Sequence, residues 1–338
     1  MNSPQALFLW KSLLKETLAQ ALSSRLLFLV AGYSCLILLL AGSVQLHNLP
    51  SDDKQSGQPW ERALPSEKDR IGEEKMKEEG SLAIKGEIRL LFGAVKIPWI
   101  HFREKAIRFL QGLVGFFTAD WPGLLIALLW TGSFMPEFRA GGIWKMALVR
   151  PVSPGLVVLF KAASVIAVLF LQGAFLLFLC WFLLGIVSQV WSGLFLWLIP
   201  MLLLQFLTFY PVSVFLGVWT RSGMVAVGGT VAFWAICWAV NISRIATLNL
   251  GAENPASAGL TTLSNLAYWI LPKPVDYSLI LGSLLGALKD CPYPHAWLQA
   301  WDKGDILPVA SIFTSLLFSL GVLALAWFET NQEKDPGK

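Results

Sequence analysis

Charge is what this chain has least of. Only 14% of its 338 residues are Asp, Glu, Lys or Arg, where a soluble domain uses roughly 25% to stay hydrated. That deficit excludes an ordinary water-facing surface. Cysteine is sparse as well. Cys35, Cys180, Cys237 and Cys291 lie far apart and form no CxxC pair, so neither a zinc ribbon nor a thioredoxin-like site is written here. The first three fall in apolar runs and read as small buried hydrophobes, and Cys291 reads as a loop thiol. Zinc-protease HExxH, hydrolase GxSxG and phosphate-cradling GxxxxGK[ST] patterns are all missing. His47, His101 and His295 stand apart with no helical pairing that would make them ligands. The net charge of +4 is too small to argue for a nucleic-acid partner.

What the chain does have is apolar length. Hydrophobic residues make up 55%, including 16 Trp and 22 Phe, and the mean hydropathy is +0.61. A helix that crosses the hydrocarbon core needs about 20 mostly apolar residues. Six stretches qualify as spans: 26–46, 121–135, 156–187, 194–218, 223–242 and 306–328. Pro200 and Pro211 are expected to kink the fourth, and Gly228 with Gly229 offers a close helix contact in the fifth. The expected fold is therefore an all-α membrane protein with six transmembrane helices. The spans carry almost no ionisable side chains. Their polar marks are Tyr33, Gln172, Gln205, Tyr210 and Asn241, which suit helix–helix hydrogen bonds.

Lys and Arg set the orientation, because short cytoplasmic loops hold them in excess. Segments 1–25 and 136–161 and the turn at 219–223 contain Lys11, Lys15, Arg25, Arg139, Lys145, Arg150, Lys161 and Arg221, against only Glu16 and Glu137. Both termini, including the tail 329–338, are accordingly expected in the cytoplasm. Residues 1–25 read as an amphipathic helix with Leu7, Trp10, Leu14, Leu18 and Ala21 on one face, resting in the headgroup plane or on the protein.

Two long segments then fall outside. The first, 47–120, holds half of all the charges in the chain, and long loops cross regardless of charge. Its part 51–80 is polar and reads as flexible. Residues 82–100 look like a strand pair, and 101–117 a helix on the outer surface. The second, 243–305, contains the apolar stretch 263–287 broken by Pro272 and Pro274, expected as a re-entrant or interfacial helix pair; a full crossing there would instead place the carboxyl terminus outside.

The segment 136–155 reads as a short amphipathic helix between two spans, ending at Arg150–Pro151 because a residue before proline disfavours helix. Ile143, Met146 and Ala147 are expected to face the membrane domain, leaving Glu137, Arg139 and Lys145 available. Glu137, Gly141, Pro151, Val152, Ser153 and Lys161 match the coupling region of type-2 ABC transporter permeases, in which a Glu, a Gly, a Pro-Val-Ser run and a span-opening Lys recur. Pro154 and Phe160 depart from that pattern, where Arg and Gly are usual. The stretches from Val218 to Ser222 and from Ile270 to Asp276 add to the likeness. The chain thus resembles the six-span bacterial permeases that carry a large loop after the first span.

This resemblance implies a subunit of the bacterial inner membrane that pairs with a second permease subunit, alike or different. It also implies two separate ATPase subunits, which bind the ATP, so that the chain needs no cofactor and is not itself an enzyme. The implied ATPase-contact residues are Glu137, Arg139, Gly141, Lys145, Arg150, Pro151 and Lys161. Transport, in the direction of export, is the first reading. ATP-driven motion passed to an extracytoplasmic partner is the second. An intramembrane enzyme is the third, disfavoured by spans that lack polar clusters.

Overall fold

The computed structural model describes residues 3–48, 86–99, 103–149, 152–250, 255–289, 291 and 293–332. The element order is α1 Ser3–Ser23, α2 Leu27–Gly42, β1 Gln45–Asn48, β2 Gly86–Leu90, β3 Val95–Trp99, α3 Arg103–Ala119, α4 Trp121–Thr131, α5 Phe134–Ala140 and α6 Gly142–Val149. There follow α7 Pro154–Ser188, α8 Leu198–Thr220, α9 Gly223–Leu250, α10 Pro255–Ile270, α11 Pro274–Leu284, α12 His295–Asp302 and α13 Pro308–Gln332. Among the described residues, five stretches are helical, long and apolar enough to cross a membrane: Lys105–Ala140, Pro154–Ser188, Gly193–Thr220, Gly223–Leu248 and Pro308–Gln332. A sixth arises if α1 and α2, bent by 77° at their junction, count as one broken span. The chain is a helical, multi-pass membrane protein.

The bundle is built around α8. Some 72% of its apolar window is buried, against 17% for α9 and 22% for α13, whose remaining surface is left for lipid. Phe206, Phe209, Tyr210, Val214 and Val218 fill the centre. Close approach of α13 depends on a stripe of small residues, Ser311, Ser315 and Ser319, all buried. With no hydrophobic force between helices in lipid, small side chains that admit backbone contact are what bring them together. Ser319 donates to the Thr208 carbonyl of α8 at 3.0 Å. Pro200 falls in the first turn of α8, where no intrahelical N–H is needed, and the helix runs on through Pro211.

Contacts sort the elements to two ends of the bundle. Gly155, at the start of α7, donates its N–H to Asn331 near the end of α13, and α1 meets α7 at Lys161. The two chain ends described therefore lie together, with α5, α6 and the α8–α9 turn. At the opposite end are the sheet, the start of α3 and α10–α12. Gly155 is required at its position, because a Cβ there would stand 2.2 Å from the Trp327 ring.

Several elements differ in extent from the sequence expectation. The first span stops at Gly42, and residues 45–48 instead form β1. It adds a third strand to the expected pair, giving the antiparallel order β1-β2-β3 with Leu46 opposite Ile88 and Ile88 opposite Ile97. Residues 105–140 count as one candidate span, so α3 leads into the bundle instead of lying flat, with Ala106, Leu110 and Val114 buried. Asp120 interrupts it, accepting from Trp121 N–H as the N-cap of α4. In place of one coupling helix there are two, α5 and α6, parted where Gly141 turns extended. Cys35 is exposed on the outer face of α2, whereas Cys180 and Cys237 are buried. The polar stretch 51–80 and the last residues of the tail, 333–338, lie outside the described residues.

Candidate functional site

At the end that carries both chain termini, α1 lies against the bundle through Leu9, Leu13, Thr17 and Ala21. Of the expected apolar face only Ala21 is among these, and Leu14 packs partly against the same cluster. Leu7, Leu18 and Leu22 are exposed instead, a stripe suited to the headgroup boundary. Facing inward, Glu16 and Gln20 meet Lys161 of α7, whose side chain is fully buried. The Lys161 ammonium donates to the Glu16 carboxylate and to Gln20 Oε1 at 2.8 Å, and stands 5.0 Å over the Phe138 ring. Gln20 in turn donates to Glu137 Oε2 at 2.8 Å and to the Phe134 carbonyl at 3.3 Å. A buried ammonium is costly unless paired and hydrogen-bonded. Here one cation joins three elements, α1, α5 and α7.

The expected contact residues divide accordingly. Lys145 is exposed on α6, and Glu137 is exposed while accepting from Gln20. Gly141 is half-buried at the α5–α6 break. Arg139 and Lys161 are interior. Arg139 is 8% exposed, donates to the Val218 carbonyl at the end of α8 and stacks on Trp144 at 5.3 Å. Arg150 and Pro151 lie outside the described residues. On α6 it is Trp144 that faces inward, against Phe138, while Met146 is 69% exposed. An indole buries more area than a thioether and offers Arg139 a π face.

A second polar cluster occupies the opposite half of the bundle, built from ionisable residues that lie just beyond the expected spans or between them. Helices α10 and α11 form a hairpin whose tip, Leu271 to Lys273, is drawn into the bundle. Lys273 and Asp276 are at most 1% exposed, and Arg244 and Asp120 are below 10%. Lys273 donates to Thr314 Oγ1 of α13 at 2.6 Å, and Val275 N–H to Asn241 Oδ1 of α9 at 3.1 Å. The Tyr268 and Ser311 hydroxyls both donate to Asp276 Oδ2. Arg244 lies 3.9 Å over the Tyr268 ring, with Lys273 4.8 Å from the same ring. Arg244 also donates to Asn265 Oδ1 and the Asp305 carbonyl, both at 3.1 Å. One turn on, Ser278 donates to Asp120 Oδ1 at 2.7 Å, and Tyr277 meets Thr208 of α8 at 3.2 Å.

Sequence reasoning missed this cluster because each ionisable member sits just beyond an apolar run or in a connection. Only the fold draws them to one depth. The available signal was the pair Pro272 and Pro274 around a lone lysine. Proline on either side keeps Lys273 out of helix, so the chain must turn there. A third polar grouping is small. Tyr33, Ser34 and Gln172 line a cleft between α2, α4 and α7, with Gln172 donating to Ser34 at 3.3 Å. No family model matches the chain, and no curated protein or solved structure shows significant similarity to it.

Proposed function

We propose that this chain is the membrane subunit of an ABC-type transporter, coupling ATP hydrolysis by a separate subunit to movement of a solute, in the direction of export. The observation that carries the reading is the α5–α6 element. It is short, partly exposed and continuous with the bundle through α4. The Glu16–Lys161–Gln20–Glu137 network ties it to α1 and α7. A push on such an element moves three helices at once, and that is what an ATP-driven partner requires of a two-state membrane domain. The excess of Lys and Arg at this end favours the cytoplasm of a bacterial inner membrane. The match of Glu137, Gly141, Pro151, Val152, Ser153 and Lys161 to the permease pattern supports the same reading, with a second permease subunit completing the pathway.

The burial of Arg139 decides how the reading is tested. Reversing its charge would place a carboxylate against the Val218 carbonyl, so Arg139 reports on folding and not on docking. Lys145 is exposed and serves instead. Lys145→Glu should leave melting within about 0.5 kcal/mol of the parent, as surface substitutions do. It should clearly reduce copurification of the ATPase subunit and stimulation of its turnover, because rim charges set recognition and on-rate. The purified chain alone should hydrolyse no ATP. Unchanged ATPase binding by Lys145→Glu, or turnover by the chain alone, would overturn the assignment.

One observation favours a second reading, mechanical transmission to an extracytoplasmic partner. Residues 105–140 run from the sheet end to α5 as one candidate span of 36 residues. A continuous path of that kind connects an ATP-driven end to whatever meets the sheet. Transport of solute into sealed vesicles, absent with an ATPase-dead partner, separates the two.

A further inference from the structure

The turn between β2 and β3 has an unusual backbone. Leu91, Phe92 and Gly93 follow one another at φ of 51°, 57° and 96°. Only glycine takes such angles freely, and for bulky residues each costs about 1–2 kcal/mol. A strained turn is expected to keep its apolar side chains inward, where burial would offset the cost. Here they point out: Phe92 is 72% exposed, and Leu91 and Val95 are each 43% exposed. The same strands do have an inward face, since Ile88 is fully buried and Leu90 and Ile97 pack on the core beneath the sheet. Val95 shares that face but projects past its edge.

The position of the turn fixes what it meets. Leu91 N–H donates to Ser43 Oγ at 3.0 Å, and Ser43 caps the end of α2. β1 leads away from that helix end and β2 returns antiparallel to it, with Gln45 opposite Arg89. The turn therefore lies level with the end of α2, where Leu36 and Leu39 are exposed on the outer face of the bundle. The exposed Trp191 and Trp197, between α7 and α8, belong to this same end, as the aromatic belt of a bilayer interface does. On the opposite face of the strands, directly above the apolar tip, Arg89 and Lys96 are cross-strand partners, and Arg89 also donates to Glu87 Oε2 of the same face at 3.1 Å. Apolar side chains lie below and a basic face lies above, with Lys96 beside an Arg89 that it shares with Glu87; this matches acyl chains below and phosphates above.

We infer that the β2–β3 turn is a membrane wedge: Leu91, Phe92 and Val95 insert among the acyl chains of the adjacent leaflet while Arg89 and Lys96 engage phospholipid phosphates. The sheet is thereby held down on the bilayer, and the backbone strain of the turn is offset by lipid contact. The wedge depends only on the bilayer, and not on the ABC reading.

The test is nitroxide depth measurement on the full chain in vesicles of phosphatidylcholine and phosphatidylglycerol. Phe92→Cys is labelled in a Cys35→Ser, Cys291→Ala background, with Val95→Cys as a second site and Lys145→Cys as the solvent reference. Both 92 and 95 are exposed, so neither label disturbs the core. The wedge requires the labels at 92 and 95 to be relaxed by oxygen and several-fold less by a water-soluble nickel chelate than the label at 145. Nickel access at 92 equal to that at 145 would overturn it. So would shielding from both reagents, which means that protein covers the turn, or dipolar broadening between labels, which means that a second copy does.

Discussion

Lys161 shows how one side chain can organise a membrane end. Its ammonium is fully buried, while Glu16 keeps 19% of its side chain exposed. Removing one partner of a fully buried pair costs roughly 3–5 kcal/mol. Because Glu16 retains a path to water, Lys161→Met should cost less, about 2 kcal/mol in micelle thermal melting. Adding Glu16→Gln should return part of that loss, since no carboxylate is then left uncompensated. If Lys161→Met melts with the parent, the network is decoration. Lys161 was legible in the sequence as a motif position, but its partners were not. Glu16 and Gln20 sit on what the apolar count made the outward side of α1. The expected face ran through Leu7, Trp10, Leu14, Leu18 and Ala21, whereas the packed one is Leu9, Leu13, Thr17 and Ala21, with Ala21 alone in common. A helix with apolar residues on two faces gives periodicity no way to choose between protein and lipid.

At the level of elements, the long apolar helices were the legible part, because bilayer thickness imposes their length directly. The connections were less so. The strands of 82–100 were visible as alternation, yet β1 was absorbed into the first span, since apolar residues at the end of a helix and in a buried strand look alike. The α10–α11 hairpin was suggested by its prolines, but its burial depends on partners in α4, α8, α9 and α13 far away in the chain. These partners make a stability prediction. Tyr268→Phe removes one of two hydroxyls donating to Asp276, leaving a buried carboxylate under-satisfied at a cost of about 1–3 kcal/mol. Hydrogen exchange should quicken across 255–284 and stay slow in α8. Faster exchange in α8 instead would mean that the hairpin is integral to the core, not a separately anchored insert.

For the molecule as a whole, the described chain ends, the start of α1 and the end of α13, lie at one end of the bundle, and the six-crossing reading predicts both termini on one side. A reporter fused after Gly80 should be reached from outside the cell, and one after Lys338 only from the cytoplasm. Opposite labelling of the two positions fits the Lys and Arg distribution. Labelling of both from the same side would break the six-crossing count.

The Glu16–Lys161 contact also bears on how the protein is made. Its partners are separated by 145 positions, so at about 5–20 residues per second the ribosome needs roughly 7–30 s to supply the second after the first. Throughout that interval α1 has no lysine to hold it and must wait at the membrane surface, sheltered by its own exposed leucines. Helix α1 is thus peripheral at first and becomes an integral part of the bundle only when α7 enters. Insertion of one helix is the event that docks another.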